Sequence, residues 1–241
     1  MRFRCTGNET AESEFDYSGF VTQQLQFRLA LAALVAGSAV ILTGPAAGQS
    51  AGEWLNLLPD ESLKGWTRVS IPATDGLKPE LQWHVDAAQQ ALICSGKGGH
   101  EWLRWDREVG DFVLEVDWRF TPRTEGEKRY NSGVGVRLSK WGELWNQAQT
   151  GTTGGYLFGQ NLVDGALKSY NLSKQMKENR VKTPGEWNHY EITAKGGTIT
   201  LAVNGEAVSE VAGVALRRGY IGLEAEGYEV TFRNIRLKTL D

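Results

Sequence analysis

The chain has 241 residues, with 26 Lys and Arg set against 29 Asp and Glu. That length allows one or two domains, and the near-balance of charge excludes both a basic field for nucleic acid and a disordered acidic tail. Its 29 glycines suit a chain of many tight turns, and its nine tryptophans supply large rings, most destined for a core and some for a flat ligand.

The N-terminal part reads as a targeting segment. Residues 29–43 are LALAALVAGSAVILT, preceded by Arg28 and followed by GPAAGQSAG. A positive flank, an apolar run and a small-residue exit describe a secretory signal peptide, with Ala46-Ala47-Gly48 as a suitable cleavage region. The polar leader before it, with Glu9, Glu12, Glu14 and Asp16, is unusual for a signal; a start codon placed too far upstream would explain it. A single N-terminal membrane anchor is the alternative, but the run is short for ~30 Å of hydrocarbon. The expectation is a leader over residues 1–50 and a domain over 51–241. That domain is exported, to periplasm or medium, with no stable membrane span after cleavage. No Cys follows the apolar run, so no lipoprotein attachment signal is present. Cys5 leaves with the leader. Cys94, in ALIC, stands alone as a small buried hydrophobe with no disulfide partner.

After Trp54 nearly every segment carries strand or turn signals. DFVLEVDWRF points Phe112, Leu114, Val116, Trp118 and Phe120 one way and Val113, Glu115, Asp117 and Arg119 the other. NSGVGVRL puts Asn131, Gly133, Gly135 and Arg137 on one face, where two glycines leave room for a ligand or a packed ring. LWNQAQT puts Trp145, Gln147 and Gln149 side by side on one face, an odd set for a core strand. Residues 162–182 are polar and Lys-rich and read as a long loop, with Lys168 and Tyr170 placed to lid a site. HYEITAKGGTITLAVNGEAVSEV reads as three strands joined at Gly196-Gly197 and Asn204-Gly205, pairs that tolerate the positive φ of type I′ turns. In YEVTFRNIRLKTL the apolar parity switches from Val230 and Phe232 to Ile235 and Leu237, which predicts a β-bulge near Arg233-Asn234. About twelve short strands make an all-β fold, a two-sheet antiparallel β-sandwich of jelly-roll form. There is no phosphate-binding loop and no Cys/His cluster, and His84, His100 and His189 are dispersed. Neither a metal nor a cofactor is expected.

Six segments in order carry a resemblance: LKGWTRV, GDFVLEVDWRF, NSGVGVRL, QAQTGTTGGY, GEWNHYEITAKGGTITLAVNG and GYIGLEAEGYEVTFRNIRL. Together, with WN-x-x-x-I, V-N-G and F-R-N-I at their intervals, the chain resembles the 3-keto-disaccharide hydrolase (3-keto-glucoside lyase/hydratase) domain family. The resemblance implies a concanavalin A-like sandwich, an exported protein and a carbohydrate ligand. It also implies cleavage of the glycosidic bond next to a 3-keto sugar, by removal of the C2 proton, elimination and hydration. A non-catalytic carbohydrate-binding protein of the same fold is the alternative. That chemistry requires a base, donors for an enolate oxygen and an acid for the leaving group.

The family's E-x-Q strand corresponds here to Gln147-Ala148-Gln149, so a carboxamide stands where a carboxylate is usual. Gln147, Gln149 and Asn131 suit sugar hydroxyls, and Trp145 and Trp141 suit a pyranose face. The other reading is a polar outer face bearing surface rings. Arg137 is a candidate for holding an enolate, or else a structural arginine paired with Glu115 or Asp117. Glu224 and Glu226, two apart in GLEAEG, raise one another's pKa and are the candidate base; a solvated edge pair is the alternative. His189 joins the substrate-binding candidates, with a structural role as its alternative.

Overall fold

The structure, a computed structural model, describes residues 52–126 and 128–240. The leader and signal expectations fall on residues outside that range. Fifteen strands are present among the described residues. They are β1 (Trp54–Asn56), β2 (Trp66–Ser70), β3 (Trp83–Asp86), β4 (Ala91–Cys94), β5 (Glu101–Trp105), β6 (Phe112–Phe120), β7 (Ser132–Leu138), β8 (Trp145–Thr150), β9 (Leu157–Val163), β10 (Ala166–Asn171), β11 (Asn188–Lys195), β12 (Thr198–Val203), β13 (Glu206–Val211), β14 (Tyr220–Ala225) and β15 (Val230–Thr239). They form two sheets. One runs β13-β12-β11-β6-β15-β4-β3, with β1 also paired to β15, and the other runs β10-β9-β8-β7-β14-β5-β2. Every pairing in the ladders is antiparallel. Among the described residues no helix is long and apolar enough to cross a membrane.

The core follows the alternation read from the sequence. Phe112, Leu114, Val116, Trp118 and Phe120 are buried between the sheets, where they meet Val134, Val136, Ala148, Ile221 and Leu223. Each large apolar side chain removed from water contributes about 1.5–3 kcal/mol, and this double layer is what holds the sheets face to face. The bulge expected near Arg233-Asn234 is present: the β15–β6 register shifts between Arg233 and Arg236, and Asn234 has φ 49. Asn204 and Gly205 both adopt positive φ, as a type I′ turn needs, whereas of the earlier pair only Gly196 does.

The long loop expected over residues 162–182 is corrected. Its first part is the β9–β10 hairpin, and β10 is an edge strand exposed along most of its length. With neither face buried, its sequence lacks the apolar alternation that marks a strand. Tyr170, expected on a lid, instead donates to Asn146 Oδ1 at 3.0 Å.

One buried carboxylate, Glu101, ties the sheets at their edge. Arg68 Nε lies 2.8 Å from Glu101 Oε1, and Trp83 Nε1 donates to the same oxygen at 2.8 Å. Glu101 is 1 % exposed, so loss of Arg68 would strand its charge and cost about 3–5 kcal/mol. The staple fixes the start of β5 and so aims the preceding residue, His100, outward.

Candidate functional site

The outer face of the seven-stranded sheet carries a layout set by register. Glu224 stands opposite Trp102 on β5, and Leu223 opposite Val134 on β7. Gly222 lies between Arg104 and Gly135, while Gly135 and Gly133 pair with Gln147 and Gln149 on β8. Glycines therefore floor the middle of the face. Their lack of a side chain is used from both sides. A Cβ on Gly133 would lie 2.0 Å from Gln147 Nε2, and Cβ atoms on Gly135 and Gly222 would lie 3.0 and 3.1 Å from the Trp102 ring. The space left by NSGVG is thus filled by an amide and a packed indole of the protein itself.

Across this floor the polar side chains close into a ring of hydrogen bonds. Gln147 Nε2 donates to Gln149 Oε1 at 2.9 Å and to Glu224 Oε2 at 2.7 Å. Gln149 Nε2 donates to Asn131 Oδ1, and Asn131 Nδ2 donates to Glu226 Oε2. His100 Nε2 lies 2.8 Å from Glu224 Oε1 and 3.9 Å from Glu226 Oε2, completing the circuit. The amides point their donors in one direction, from Gln147 towards Glu226, an arrangement in which each bond polarises the next. Gln147 and Glu224 are buried, while the side chains of His100 and Glu226 are 37 % and 39 % exposed. The ring therefore has a closed back and an open front, and the front is an imidazole beside a carboxylate.

The electrostatics follow. Burial, then the charge of Glu224, pushes Glu226 from 4.5 up to about 7, against the pull of His100 and Asn131. Burial of His100 disfavours its charged form, but the hydrogen bond and charge of Glu224, joined by Glu226, outweigh that and raise it. The ligand atoms of His100, Glu224 and Glu226 lie within 4.8 Å of one another, a donor set of the hard-plus-imidazole kind that divalent cations accept. Spacing in the sequence could not have suggested it, because His100 and Glu224 are 124 residues apart.

Of the residues singled out from sequence, Asn131, Gln147, Gln149, Glu224 and Glu226 meet in this ring. Trp145 lies on the same face, packed against the small cluster of Val69, Trp102 and Leu138. Trp141, 52 % exposed, stands on the β7–β8 loop at the margin of the face. Two placements differ from expectation. Opposite Ile221 of β14, strand β7 carries Val136 and Arg137, a bulge in which Arg137 takes φ 50. That extra residue flips the parity, and Arg137 leaves the face. It is 1 % exposed and donates to Asp111 Oδ1 at 2.9 Å and Leu216 O at 2.8 Å, which makes it a structural staple whose partner is neither Glu115 nor Asp117. His189 lies on β11, in the other sheet, paired with Asp117 at 2.8 Å and away from the ring. Conversely, His100 and Trp102 belong to the site and carried no sequence signal of it. Only the pairing of β5 with β14 brings them there.

These features define a concanavalin A-like jelly-roll sandwich with a titratable cluster on one open face. Residues 53–238 match the 3-keto-α-glucoside-1,2-lyase-like domain, and the chain belongs to that family. Solved structures agree on the fold. A putative glycosyl hydrolase from Parabacteroides distasonis is 16% identical with a TM-score of 0.55, covering 78% of this chain and 94% of its own. A second from the same organism is 20% identical with a TM-score of 0.54, covering 78% and 100%. The carbohydrate-binding module CBM66 from Bacillus subtilis is 15% identical with a TM-score of 0.53, covering 73% and 96%. No curated protein matches the chain.

Proposed function

We propose that the protein is an exported carbohydrate-active enzyme that cleaves 3-keto-glycosides by elimination and hydration, with Glu226 as the base and His100 as the acid. Family membership supports the substrate class. The observation that carries the mechanism is a part-exposed carboxylate pushed to about 7 beside an imidazole whose charged form is favoured by the hydrogen bond and charge of a second carboxylate.

In this scheme the C3 ketone acidifies the C2 proton. Glu226 takes that proton, and the electron pair passes to the carbonyl oxygen as an enolate. Collapse of the enolate forms the C1–C2 double bond and breaks the bond from C1 to the glycosidic oxygen, which receives the proton of His100. Water then adds to C1 and gives a proton to His100, while Glu226 returns its proton to C2. Both groups are restored and the net reaction is hydrolysis. A base with a pKa near the working pH combines a useful ionised fraction with useful basicity. Glu224 and the amides hold the pair in register and exclude water from behind it. Gln147, which cannot take a proton, is a donor here: its two N–H groups fix Glu224 and Gln149.

A panel of matched 3-keto and unoxidised disaccharides and methyl glucosides tests this. Turnover confined to the oxidised set is expected, with an enone intermediate absorbing in the near ultraviolet. Saturable binding of both sets without turnover would instead establish the carbohydrate-binding alternative. Export is tested by the N-terminus of the protein recovered outside the cytoplasm.

A further inference from the structure

Beyond the ring, the same face changes character. Along β14 the outward positions run Glu224, Gly222 and Tyr220, with Glu226 just past the strand's end, so that about 13 Å separate Glu224 from Tyr220 at a strand rise of ~3.3 Å per residue. At that far end the surface is aromatic and cationic. The Arg104 guanidinium lies 4.3 Å from the Tyr220 ring centroid and 6.0 Å from that of Trp141, and Lys140 Nζ lies 5.1 Å from Trp141. Trp145, held by a perpendicular contact with Phe158 at 5.0 Å, stands two strands away on β8.

Trp141 is the unexplained residue of this face. A large ring left 52 % exposed gains little from burial, yet its loop is tightly held. Ser139 N donates to Leu144 O at 2.8 Å, Leu144 N to Ser139 Oγ at 3.0 Å, and Gly142 N to Ser139 O at 3.1 Å. Arg104 also donates to Lys140 O and reaches Asp106 at 3.5 Å. An exposed indole on a fixed loop can stack on a ligand without first losing its own freedom.

We infer that the ligand is an oligosaccharide running from the carboxylates towards Tyr220, with a distal ring stacked on Trp141. The distance from Glu224 to Tyr220 exceeds one pyranose, so a monosaccharide at the carboxylates leaves Trp141 untouched. This rests on the proposal that a saccharide occupies the Glu226 end, and it adds the length and direction of that saccharide.

The test is calorimetric titration of the full chain with unoxidised gluco-oligosaccharides from mono- to pentasaccharide, for the wild type, Trp141→Ala and Trp141→Tyr. Affinity is expected to rise with length in the wild type. Trp141→Ala should lose roughly three- to tenfold on the longest members and nothing on the shortest, and Trp141→Tyr should restore most of the loss. Length-independent affinity, no binding of any member, or an equal loss at every length would overturn the inference. The measurement needs no turnover. Cleavage of a methyl 3-ketoglucoside together with a flat ladder sinks the inference alone. A length-dependent ladder without cleavage sinks the proposed chemistry and leaves the platform standing.

Discussion

The two outer faces of the sandwich each carry a histidine bonded to a carboxylate at 2.8 Å, and they do opposite things to the acid involved. On the eight-stranded sheet Asp117 is surrounded by donors: His189, Asn234 Nδ2 at 2.6 Å and Arg233 at 3.4 Å. Burial works against its charge, but those partners outweigh it and hold it below the ordinary 3.8. On the seven-stranded sheet the imidazole is shared by two carboxylates, and among the described residues it is their ion-pair partner. One of the two, Glu226, is pushed up to about 7. A histidine–carboxylate pair therefore says little about reactivity. What matters is whether a second anion or a second cation stands beside it. The first arrangement is a satisfied surface network; the second leaves a carboxylate that gains and loses a proton near neutrality.

The comparison breaks most sharply at Glu226. Glu226→Gln is expected to lower kcat on a 3-keto-glycoside by about 10²–10⁴-fold, the range for removal of a general base. Wild-type kcat should fall on the acid side with a midpoint near 7, because a protonated Glu226 cannot accept the C2 proton. Stability has the reverse sign. The native state holds this proton to higher pH than the unfolded chain does, so stability declines as pH rises from 4.5 to about 7. In Glu226→Gln that decline is absent, which thermal melts across the same window would reveal. A variant with full activity would remove Glu226 from the proposed chemistry.

The next effect is at Gln147. A carboxylate there donates nothing and meets Glu224 across a gap now spanned by a 2.7 Å hydrogen bond, with both groups buried. Gln147→Glu should destabilise the protein by about 1–3 kcal/mol at neutral pH, the cost of unmade buried hydrogen bonds. Adding Glu224→Gln should recover most of it, since donor and acceptor have then exchanged strands. A double-mutant cycle with no coupling would mean that the ring's polarity is of no consequence.

How much of this was legible in the sequence divides along the same line. Parity exposed the core of β6, the bulge in β15 and the shared face of Trp145, Gln147 and Gln149, because each is a property of one strand. The proximity of Glu224 to Glu226 was equally local. His100 was not legible: its role comes from β5 lying beside β14, a pairing between segments more than a hundred residues apart. Arg137 misled because a single-residue bulge, unmarked by Gly or by a change in apolar pattern, reverses every face after it. The glycines of NSGVG signalled empty space correctly but not its occupants, which come from β8 and β5.

The smallest expected effect is at His189, the control for the comparison. Its hydrogen bond to Asp117 raises its pKa, against the effect of burial, so its contribution to stability is present below 6.5 and lost as pH rises through the higher native value. Asp117, held low, contributes above 3.8 and loses that as pH falls. The pair is thus at its strongest in the mildly acidic range. The His189 side chain is 40 % exposed, and solvent screens the interaction to about 0–1 kcal/mol. His189→Ala should therefore lower the melting temperature slightly at pH 5 to 6, by an amount that shrinks as pH rises, and leave kcat on 3-keto-glycosides within about twofold. A large loss of activity in this variant, with folding intact, would place reactive chemistry on the eight-stranded sheet. The distinction between a carboxylate beside a second anion and one beside a cation would then no longer separate the two faces.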